Sequence, residues 1–284
     1  MESQKIQIKK FDPTTIDPCR ICVFVGRRGT GKTACVTDIL YHQRKIPMGV
    51  VISGTEESNE HYQSYVPDSF IYGKYEPQII EKIIKHQAKV IGKLKGEEKE
   101  NFSNPDNSVF MLLDDCMYDN KWTRNEIMRC VFMNGRHYRI LFLLTLQYCM
   151  DLPPSLRGQI DYLFILRENI IQNRKKLYEH FFGIFPTFDS FNEVLNQCTE
   201  NYECLVLNVR STSNKIEDCV FWYKAKVGRK FRIGSSGLWE HHKRNYNPKH
   251  SSDESQEQSD IKKKNVTPVL VVKTDSEGKR KKKK

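Results

Sequence analysis

The residues best suited to chemistry lie in one glycine-rich stretch. Gly26, Gly31, Lys32 and Thr33 fit the phosphate-loop pattern G-x-x-x-x-G-K-[ST]. In such a loop, consecutive backbone N–H groups point inward at phosphate oxygens, and the following helix adds its positive dipole end. The lysine reaches the β- and γ-phosphates, and the threonine hydroxyl ligates Mg2+. The stretch predicted to hold the phosphates is Gly26, Arg27, Arg28, Gly29, Thr30, Gly31, Lys32 and Thr33.

A glycine- and lysine-rich surface turn could have the same spelling, so the flanking residues decide between the two interpretations. An apolar run, residues 23–25, precedes the loop, and a helical pattern over residues 34–42 follows it. Strand, loop and helix in that order are the context that phosphate binding requires. The sequence therefore favours a nucleotide site.

Two adjacent carboxylates, Asp114 and Asp115, end the apolar run 109–113. Carboxylates at the tip of a buried strand are costly to desolvate unless positive charge lies opposite them, and a magnesium-bound nucleotide supplies it. We predict that Asp114 holds Mg2+ through water, against Thr33. We predict that Asp115 orients or deprotonates the attacking water. The alternative is a strand end that emerges into solvent, and the phosphate loop upstream argues against it.

A polar amide, Gln147, follows the apolar run 140–146. The carboxyl ends of parallel strands form the edge of a sheet that faces a bound nucleotide. An amide at this edge is suited to sense the γ-phosphate, which is the role we predict for Gln147. A simple cap of the strand is the alternative.

Strands alternate with helices along the chain, which indicates an α/β fold with a mostly parallel sheet flanked by helices. The predicted strands are 23–25, 48–53, 69–72, 109–113, 140–146, 160–166, 203–209 and 218–223. The predicted helices are 34–42, 76–95, 122–134, 170–182 and 188–198.

The order of the motifs indicates which branch of phosphate-loop folds is present. At least one strand separates the phosphate-loop strand from the acidic strand, and a second carboxylate and a polar sensor follow. This arrangement favours a RecA-like P-loop NTPase core over a GTPase. The guanine-reading N-K-x-D motif is missing, because residues 214–217 read Asn-Lys-Ile-Glu and no buried strand directly precedes them. The expected nucleotide is therefore ATP.

Charge and length set further bounds. The chain has 284 residues and a formal net charge of +11, which is compatible with an anionic partner without identifying it. We predict an N-terminal extension over residues 1–18, an ATPase domain over 19–240 and a disordered charged tail over 241–284. No run approaches the ~18 apolar residues of a membrane span, so we expect an intracellular, soluble protein.

Two other features have ordinary explanations. The nine cysteines are interpreted as reduced core thiols, because no secretory start is present. Cys19 and Cys22 spell C-x-x-C, but no second ligand pair lies at zinc spacing. The basic trio Arg174, Lys175 and Lys176 is interpreted as a solvated helix face rather than a DNA contact.

Six further motifs follow one another along the chain. They are Ser53-Gly54-Thr55-Glu56, Leu112-Leu113-Asp114-Asp115, Phe132-Met133-Asn134-Gly135-Arg136-His137-Tyr138, Thr145-Leu146-Gln147-Tyr148, Leu152-Pro153-Pro154 and Gln159-Ile160-Asp161-Tyr162-Leu163-Phe164-Ile165-Leu166-Arg167-Glu168. The ordered set resembles the genome-packaging ATPases of large nucleocytoplasmic DNA viruses, a branch of the FtsK/HerA superfamily of P-loop translocases. The likeness covers about residues 19–223.

This resemblance implies an ATP-hydrolysing translocase that packages double-stranded DNA into a viral capsid. It implies a homo-oligomeric ring, expected to be a hexamer, with capsid or portal components as partners. Carried over by motif, Lys32 and Thr33 bind phosphate and Mg2+, Asp114 and Asp115 form the acidic pair, and Gln147 is the sensor. The expected location is the host cytoplasm at the viral factory, with the virion and the nucleus as alternatives.

A ring of this kind needs an arginine that reaches the γ-phosphate of a neighbouring subunit. Arg136 precedes its strand and so is expected near the sheet edge away from the nucleotide. Arg157 follows Gln147 and is favoured as closer to the nucleotide edge, while Arg167 ends the next strand. Packing or ion pairing is the alternative role for all three.

Two other functions stay open at this point. Another RecA-like ATPase, such as a helicase or initiator, is weakened because no separate helicase domain or DNA-reading module is recognisable. A non-catalytic, nucleotide-gated assembly protein is disfavoured by the full set of catalytic residue types. Residues 93–107 and the lysine-rich tail do not match the family pattern. DNA contact, a capsid partner, a nuclear address and solvated disorder are the alternatives for the tail.

Overall fold

A nine-stranded sheet forms the centre of the computed structural model, which describes residues 6–116 and 120–246. The strands are β1 (Lys9–Lys10), β2 (Ile21–Val25), β3 (Met48–Ser53), β4 (Ile71–Tyr72), β5 (Val109–Asp114), β6 (Ile140–Leu146), β7 (Tyr162–Ile165), β8 (Glu203–Asn208) and β9 (Val220–Lys224). The helices are α1 (Lys32–His42), α2 (Glu56–Asn59), α3 (Pro77–Lys93), α4 (Gly96–Glu100), α5 (Glu126–Asn134), α6 (Pro154–Arg157), α7 (Ile171–Phe181), α8 (Phe188–Cys198), α9 (Ile216–Cys219) and α10 (Ser236–Asn245).

The strand order across the sheet is β1-β9-β8-β7-β2-β6-β5-β3-β4. Within the described part of the chain, β8 alone runs opposite to the other strands, since it pairs antiparallel with both β7 and β9. The strand β6 lies between β2, which leads into the phosphate loop, and β5, which ends in the acidic pair. The predicted α/β, mostly parallel, RecA-like fold is confirmed.

The core lies on both faces of the sheet, because successive side chains of a strand point to opposite sides. In β2, Ile21, Val23 and Val25 pack into one cluster together with residues of α3, α5 and α8. Cys22 and Phe24 pack into the other cluster, with residues of α1. Parallel strands covered on both faces read as continuous apolar runs, which explains why the sequence marked these strands clearly.

The segment predicted as an N-terminal extension contributes to this core. Phe11 and Ile16 are 4% and 2% exposed. The Phe11 ring lies edge-on to Tyr162 and Phe164, and β1 pairs with β9. Phe11 and Ile16 stand among polar residues without the period of a strand or a helix, so no sequence pattern predicted this packing.

Several predicted elements change their bounds. The helix predicted over 122–134 is a 3-10 helix, Asn120–Arg124, followed by α5, where the Asn125 side chain accepts the N–H of Ile127 as an N-cap. The strand predicted over 218–223 begins only at Val220, because α9 occupies the residues before it. The short strand predicted over 69–72 is reduced to β4.

The boundary of the tail also moves. The helix α10 continues past the boundary predicted at residue 240 and ends at Asn245, with Leu238 buried. The remainder of the predicted tail, residues 247–284, lies outside the described residues.

The nine cysteines all lie within the described ranges. All nine cysteines are free, and both Cys19 and Cys22 are buried. Burial raises the pKa of the Cys19 thiol to about 11, which disfavours the thiolate that zinc requires. In residues 6–116 and 120–246 we find no cluster of three or more metal-binding side chains and no helix able to cross a bilayer.

Candidate nucleotide-binding site

The phosphate loop connects β2 to α1 and has the backbone that only glycine adopts easily. Gly29 and Gly31 have φ values of +79° and +101°, in the left-handed region. A Cβ on Gly26 would lie 2.6 Å from Thr30 Oγ1 and 2.8 Å from Leu166 Cβ, so this position excludes a side chain. The three glycines therefore fix a tight loop at the N-terminal end of α1, where backbone N–H groups can meet an anion.

Lys32 lies folded over this loop. Its Nζ donates to the carbonyl oxygens of Gly26 at 2.6 Å and Arg27 at 3.1 Å. Burial lowers the pKa of Lys32, and the negative charges of Asp115 and Asp114 oppose that shift. The two carbonyl oxygens that hold the ammonium are neutral acceptors. Charged phosphate oxygens form stronger hydrogen bonds and can take their place.

Asp114, at the tip of β5, is 4% exposed and fully hydrogen-bonded. Its Oδ1 accepts the hydroxyl of Thr145 at 2.7 Å, and its Oδ2 accepts the hydroxyl of Tyr62 at 2.7 Å. Thr33 Oγ1 lies 3.4 Å from Asp114 Oδ2, so the predicted pair of metal-site residues is brought together. Hydroxyl and carboxylate oxygens are the ligands that Mg2+ prefers, and this donor set fits the ion.

Asp115 turns away from its neighbour through a left-handed backbone, with φ of +51°. Its N–H donates to Thr145 Oγ1 at 2.9 Å, so one threonine contacts both members of the acidic pair. Gln147 Nε2 donates to Asp115 Oδ1 at 2.9 Å. The residues predicted to activate water and to sense the γ-phosphate are therefore in direct contact.

These groups line one cavity of about 620 Å3. Its lining residues are Arg28, Gly29, Gly31, Lys32, Thr33, Ala34, Thr55, Asn59, Asp114, Asp115, Gln147, Asn201, Tyr202, Lys224, Ala225 and Val227. A cavity of this size is large enough for a nucleotide. Glycine N–H groups, Lys32 and the acidic pair in the same cavity are the set that a magnesium nucleotide requires.

The segment after β3 supports the acidic pair from the side. Glu56 accepts the backbone N–H of Tyr62 at 2.6 Å and of Gln63 at 3.2 Å, and burial raises its pKa. His61 Nε2 lies 2.8 Å from Thr37 Oγ1 on α1. Burial lowers the pKa of His61, and the charge of Asp114 opposes that change. This segment thus connects α1 to Asp114.

Relatives of the chain are found in large DNA viruses. The uncharacterized protein L437 of Acanthamoeba polyphaga mimivirus is 38% identical over 256 residues, which cover 89% of this chain and 89% of that protein. The uncharacterized protein 075L of Invertebrate iridescent virus 6 is 32% identical over 265 residues, which cover 89% and 99%. The chain belongs to this viral protein family. No known protein-family profile matches it.

The fold of the chain is similar to that of a protein of known structure. The genome packaging NTPase B204 of Sulfolobus turreted icosahedral virus 2, in complex with AMPPCP, superimposes with a TM-score of 0.51 at 15% identity. The match covers 74% of this chain and 100% of that one. At this identity the likeness establishes the fold. The predicted likeness to proteins of large DNA viruses and the predicted fold are confirmed.

Three arginines were candidates for acting on a neighbouring subunit, and none lines the cavity of its own subunit. Arg157 is half-buried on α6, and its Nη1 lies 3.1 Å from the sulfur of Met150. Arg136 is exposed and stacks over Phe102 at 4.7 Å, ahead of β6. Arg167 is exposed just after β7, at the carboxyl-end edge that carries the phosphate loop. The role of Arg157 stays a prediction.

One residue of the basic trio, Arg174, is held by hydrogen bonds, whereas the two arginines of the phosphate loop lie at or beside the cavity. Arg174 donates to the carbonyl oxygen of Glu168 and to the side-chain oxygens of Asn192 and Asn196, so it stabilises the packing of α7 and α8. Arg28 lines the cavity and Arg27 is exposed beside it, as expected of loop residues that face the phosphates.

Sequence reasoning missed several residues at this site, Thr145, Tyr62, Tyr202 and Val227 among them. Thr145 is the one polar residue in the apolar run 140–146, and that contrast was a usable signal. Tyr62 lies in a segment without a pattern, and nothing in the sequence marks its hydrogen bond to Asp114. Tyr202 and Val227 line the cavity from a distant part of the chain, and no motif marks them.

Proposed function

We propose that this chain is the subunit of a motor that hydrolyses ATP to move double-stranded DNA into a viral capsid. One observation carries the ATPase part: Thr33, Asp114, Asp115 and Gln147 form a connected set beside Lys32 in a nucleotide-sized cavity. The DNA and capsid part rests on the resemblance of the ordered motifs and on the fold shared with a viral packaging NTPase.

In the proposed reaction, the phosphate loop and Lys32 bind the β- and γ-phosphates and hold the γ-phosphorus for in-line attack. Thr33 and Asp114 would hold Mg2+, which would neutralise part of the charge on the phosphate oxygens. Asp115 accepts a hydrogen bond from the attacking water and orients its lone pair toward the γ-phosphorus. The proton leaves toward Asp115 or the released phosphate.

Gln147 gives this reaction a way to respond to the bound nucleotide. Its amide donates to Asp115 in the present arrangement. A γ-phosphate oxygen is a charged acceptor and competes well for that N–H. When Gln147 donates to the γ-phosphate, Asp115 Oδ1 is released to bind water. Hydrolysis would restore the original hydrogen bond, so the amide changes partner once in each cycle.

The proposed partners follow from the motor function. A homo-oligomeric ring, expected to be a hexamer, would surround double-stranded DNA, and capsid or portal components would hold the ring at the entry point. The host cytoplasm at the viral factory is the proposed location, with the virion as the next stage. The net charge of +11 is consistent with a polyanion as substrate.

The test measures ATP turnover by the full chain with and without double-stranded DNA, together with the native mass. We expect turnover to depend on Mg2+, to increase with double-stranded DNA and to occur in a ring-sized species. Lys32→Ala is the inactive reference. A protein that stays monomeric with ATP and DNA, and whose turnover ignores DNA, would contradict the motor proposal. Strand separation on forked DNA would favour the helicase alternative.

A further inference from the structure

An exposed tyrosine lies beside the phosphate loop, in a backbone conformation that tyrosine rarely adopts. Tyr202 is 72% exposed, and its Cδ1 would lie 3.4 Å from a Cβ built on Gly31. Asn201 and Tyr202 have φ values of +51° and +63°, and Glu203 N–H donates to the carbonyl of Glu200. A four-residue turn closed by this hydrogen bond, with two left-handed central residues, has the form of a type I′ turn. The central pair of such turns is typically Asn-Gly.

Tyr202 therefore occupies a position that favours glycine, which lowers stability. Its ring is exposed, so burial does not offset that loss. Exposed large apolar side chains that line a cavity are candidates for ligand contact. Strain at one residue is also a reason to look for a function there. Tyr202 meets both conditions, because it borders the cavity that holds the phosphate loop.

A second exposed apolar residue lies on the same side of the cavity. Val227 is 74% exposed, in the loop after β9. This loop is fixed to α1: Asp38 accepts the N–H of Lys226 at 2.7 Å and Arg229 Nε at 2.6 Å. Because α1 begins at Lys32, Val227 is held at a constant position relative to the phosphate loop.

The strand order places these two residues on the far side of the loop from the acidic pair. The pair and Gln147 follow β5 and β6, on one flank of β2, while Tyr202 and Val227 adjoin β8 and β9, on the other flank. The antiparallel direction of β8 brings its first residue to the same edge of the sheet. A nucleotide with its γ-phosphate at the acidic pair must extend its base toward β8 and β9.

We propose that Tyr202 and Val227 form the subsite for the nucleobase of the bound nucleotide, with the Tyr202 ring stacking on the base. The inference rests on the proposed function, since it concerns the ATP of the same site. Stacking on an aromatic ring is a strong contact for any base, which makes the tyrosine more important for affinity than for choice of base.

The test compares ligands with and without a base on the full chain. Binding of ATP and of inorganic tripolyphosphate is measured by calorimetry for wild type, Tyr202→Ala, Tyr202→Gly and Tyr202→Phe. We expect Tyr202→Ala and Tyr202→Gly to weaken ATP binding roughly tenfold to hundredfold, and to leave tripolyphosphate binding within a factor of about two. Tyr202→Phe keeps the ring and should keep wild-type affinity.

A second measurement separates binding from folding. Tyr202→Gly creates the favoured Asn-Gly turn, so its Tm should rise while its ATP affinity falls. Val227→Ala should weaken ATP binding several-fold, whereas Val209→Ala, an exposed valine at the other end of β8, should not. Unchanged ATP affinity in Tyr202→Ala, or an equal loss for both ligands, would overturn the subsite. A wild type that binds neither ligand would instead refute the proposed function.

Discussion

Asp114 and Asp115 are adjacent in the chain, but their surroundings differ and suit different tasks. Asp114 is buried and accepts hydrogen bonds from Thr145 and Tyr62. Asp115 faces the cavity and accepts the amide of Gln147. A fixed, shielded carboxylate suits the binding of a cation, and a cavity-facing carboxylate with an exchangeable partner suits the activation of water.

We therefore expect Asp115→Asn to bind ATP with nearly wild-type affinity and to hydrolyse it about 10²- to 10⁴-fold more slowly, because a carboxamide is a poor base. Equilibrium binding and steady-state turnover measure the two quantities. Asp106→Asn, an exposed aspartate in a 3-10 turn, is the matched control. Unchanged turnover in Asp115→Asn would remove this residue from the mechanism.

Tyr62 is a positioning residue for the proposed metal site, because its hydroxyl donates to the carboxylate oxygen of Asp114 that also faces Thr33. Tyr62→Phe should lower the free energy of unfolding by about 1.5–3 kcal/mol, since it removes a hydrogen bond to a buried charged group. The Mg2+ concentration for half-maximal turnover should rise as well.

Denaturant unfolding and Mg2+ titration of turnover measure these effects. Tyr65→Phe is the matched control, because Tyr65 lies in the same segment and stacks on Phe231. A loss of stability with no change in the Mg2+ requirement would mean that Tyr62 supports the fold alone.

At the scale of elements, α1 connects the two sides of the cavity. Asp38 on this helix accepts hydrogen bonds from Tyr223, Lys226 and Arg229, which lie in β9 and the loop after it. The carboxylate is 2% exposed, so it accepts these hydrogen bonds away from water. One residue thus fixes the C-terminal wall of the cavity to the helix that starts at the phosphate loop.

We expect Asp38→Ala to lower the free energy of unfolding by about 3–5 kcal/mol, because it leaves a mostly buried arginine and tyrosine hydroxyl without their acceptor. Chemical denaturation measures this loss. Asp106→Ala is the control on an exposed site. A loss below about 1 kcal/mol would show that water or another group replaces the carboxylate.

The segment between β3 and α3 should respond to pH through His61. Burial holds the pKa of His61 below its ordinary value of 6.5. The unfolded chain therefore binds more protons than the folded chain just below pH 6.5, and the free energy of unfolding rises with pH across that window. The contribution is complete above pH 6.5 and is lost as the pH falls.

His61→Gln should flatten this dependence of stability on pH, and His86→Gln, an exposed histidine on α3, should leave it unchanged. Denaturant unfolding at pH values between about 5 and 7.5 measures the slope. His42, whose pKa burial also lowers, supplies a second contribution in the same window. Parallel curves for wild type and His61→Gln would contradict the assignment.

At the scale of the whole molecule, the proposed ring requires that one subunit complete the site of the next. Lys32→Ala removes the site's own lysine, and Arg157→Ala removes the arginine predicted to act on a neighbour. Each variant alone should be inactive. A mixture should regain part of the turnover, because some interfaces then pair an intact Lys32 with an intact Arg157.

The same mixing experiment with Arg167→Ala and Arg136→Ala distinguishes the three candidates. The position of Arg167 at the carboxyl-end edge makes it the first alternative to Arg157. Full turnover in Arg157→Ala alone would exclude that residue. Arg136 stacks on Phe102, so its loss should affect stability more than turnover.

What the sequence could predict depends on how far apart the interacting residues lie. The phosphate loop, the strand tips and the helix Phe188–Cys198 were predictable, because local spacing and periodicity define them. Tyr62, Tyr202 and Val227 were not, because each acts through a contact to a remote element. Phe11 was missed for the same reason: its ring packs against rings of β7 and β9, and its neighbours in the chain are mostly polar.

The pairing of β1 with β9 has a consequence for the synthesis of the protein. Lys9 lies opposite Phe221, so roughly 210 residues must be translated before the first strand can meet its partner, which takes about 10–40 s at 5–20 residues per second. Phe11 also packs against Phe221 and Tyr223 of the same late strand. During that interval an early apolar side chain and an unpaired sheet edge are exposed on the ribosome, where chaperones would have time to bind them.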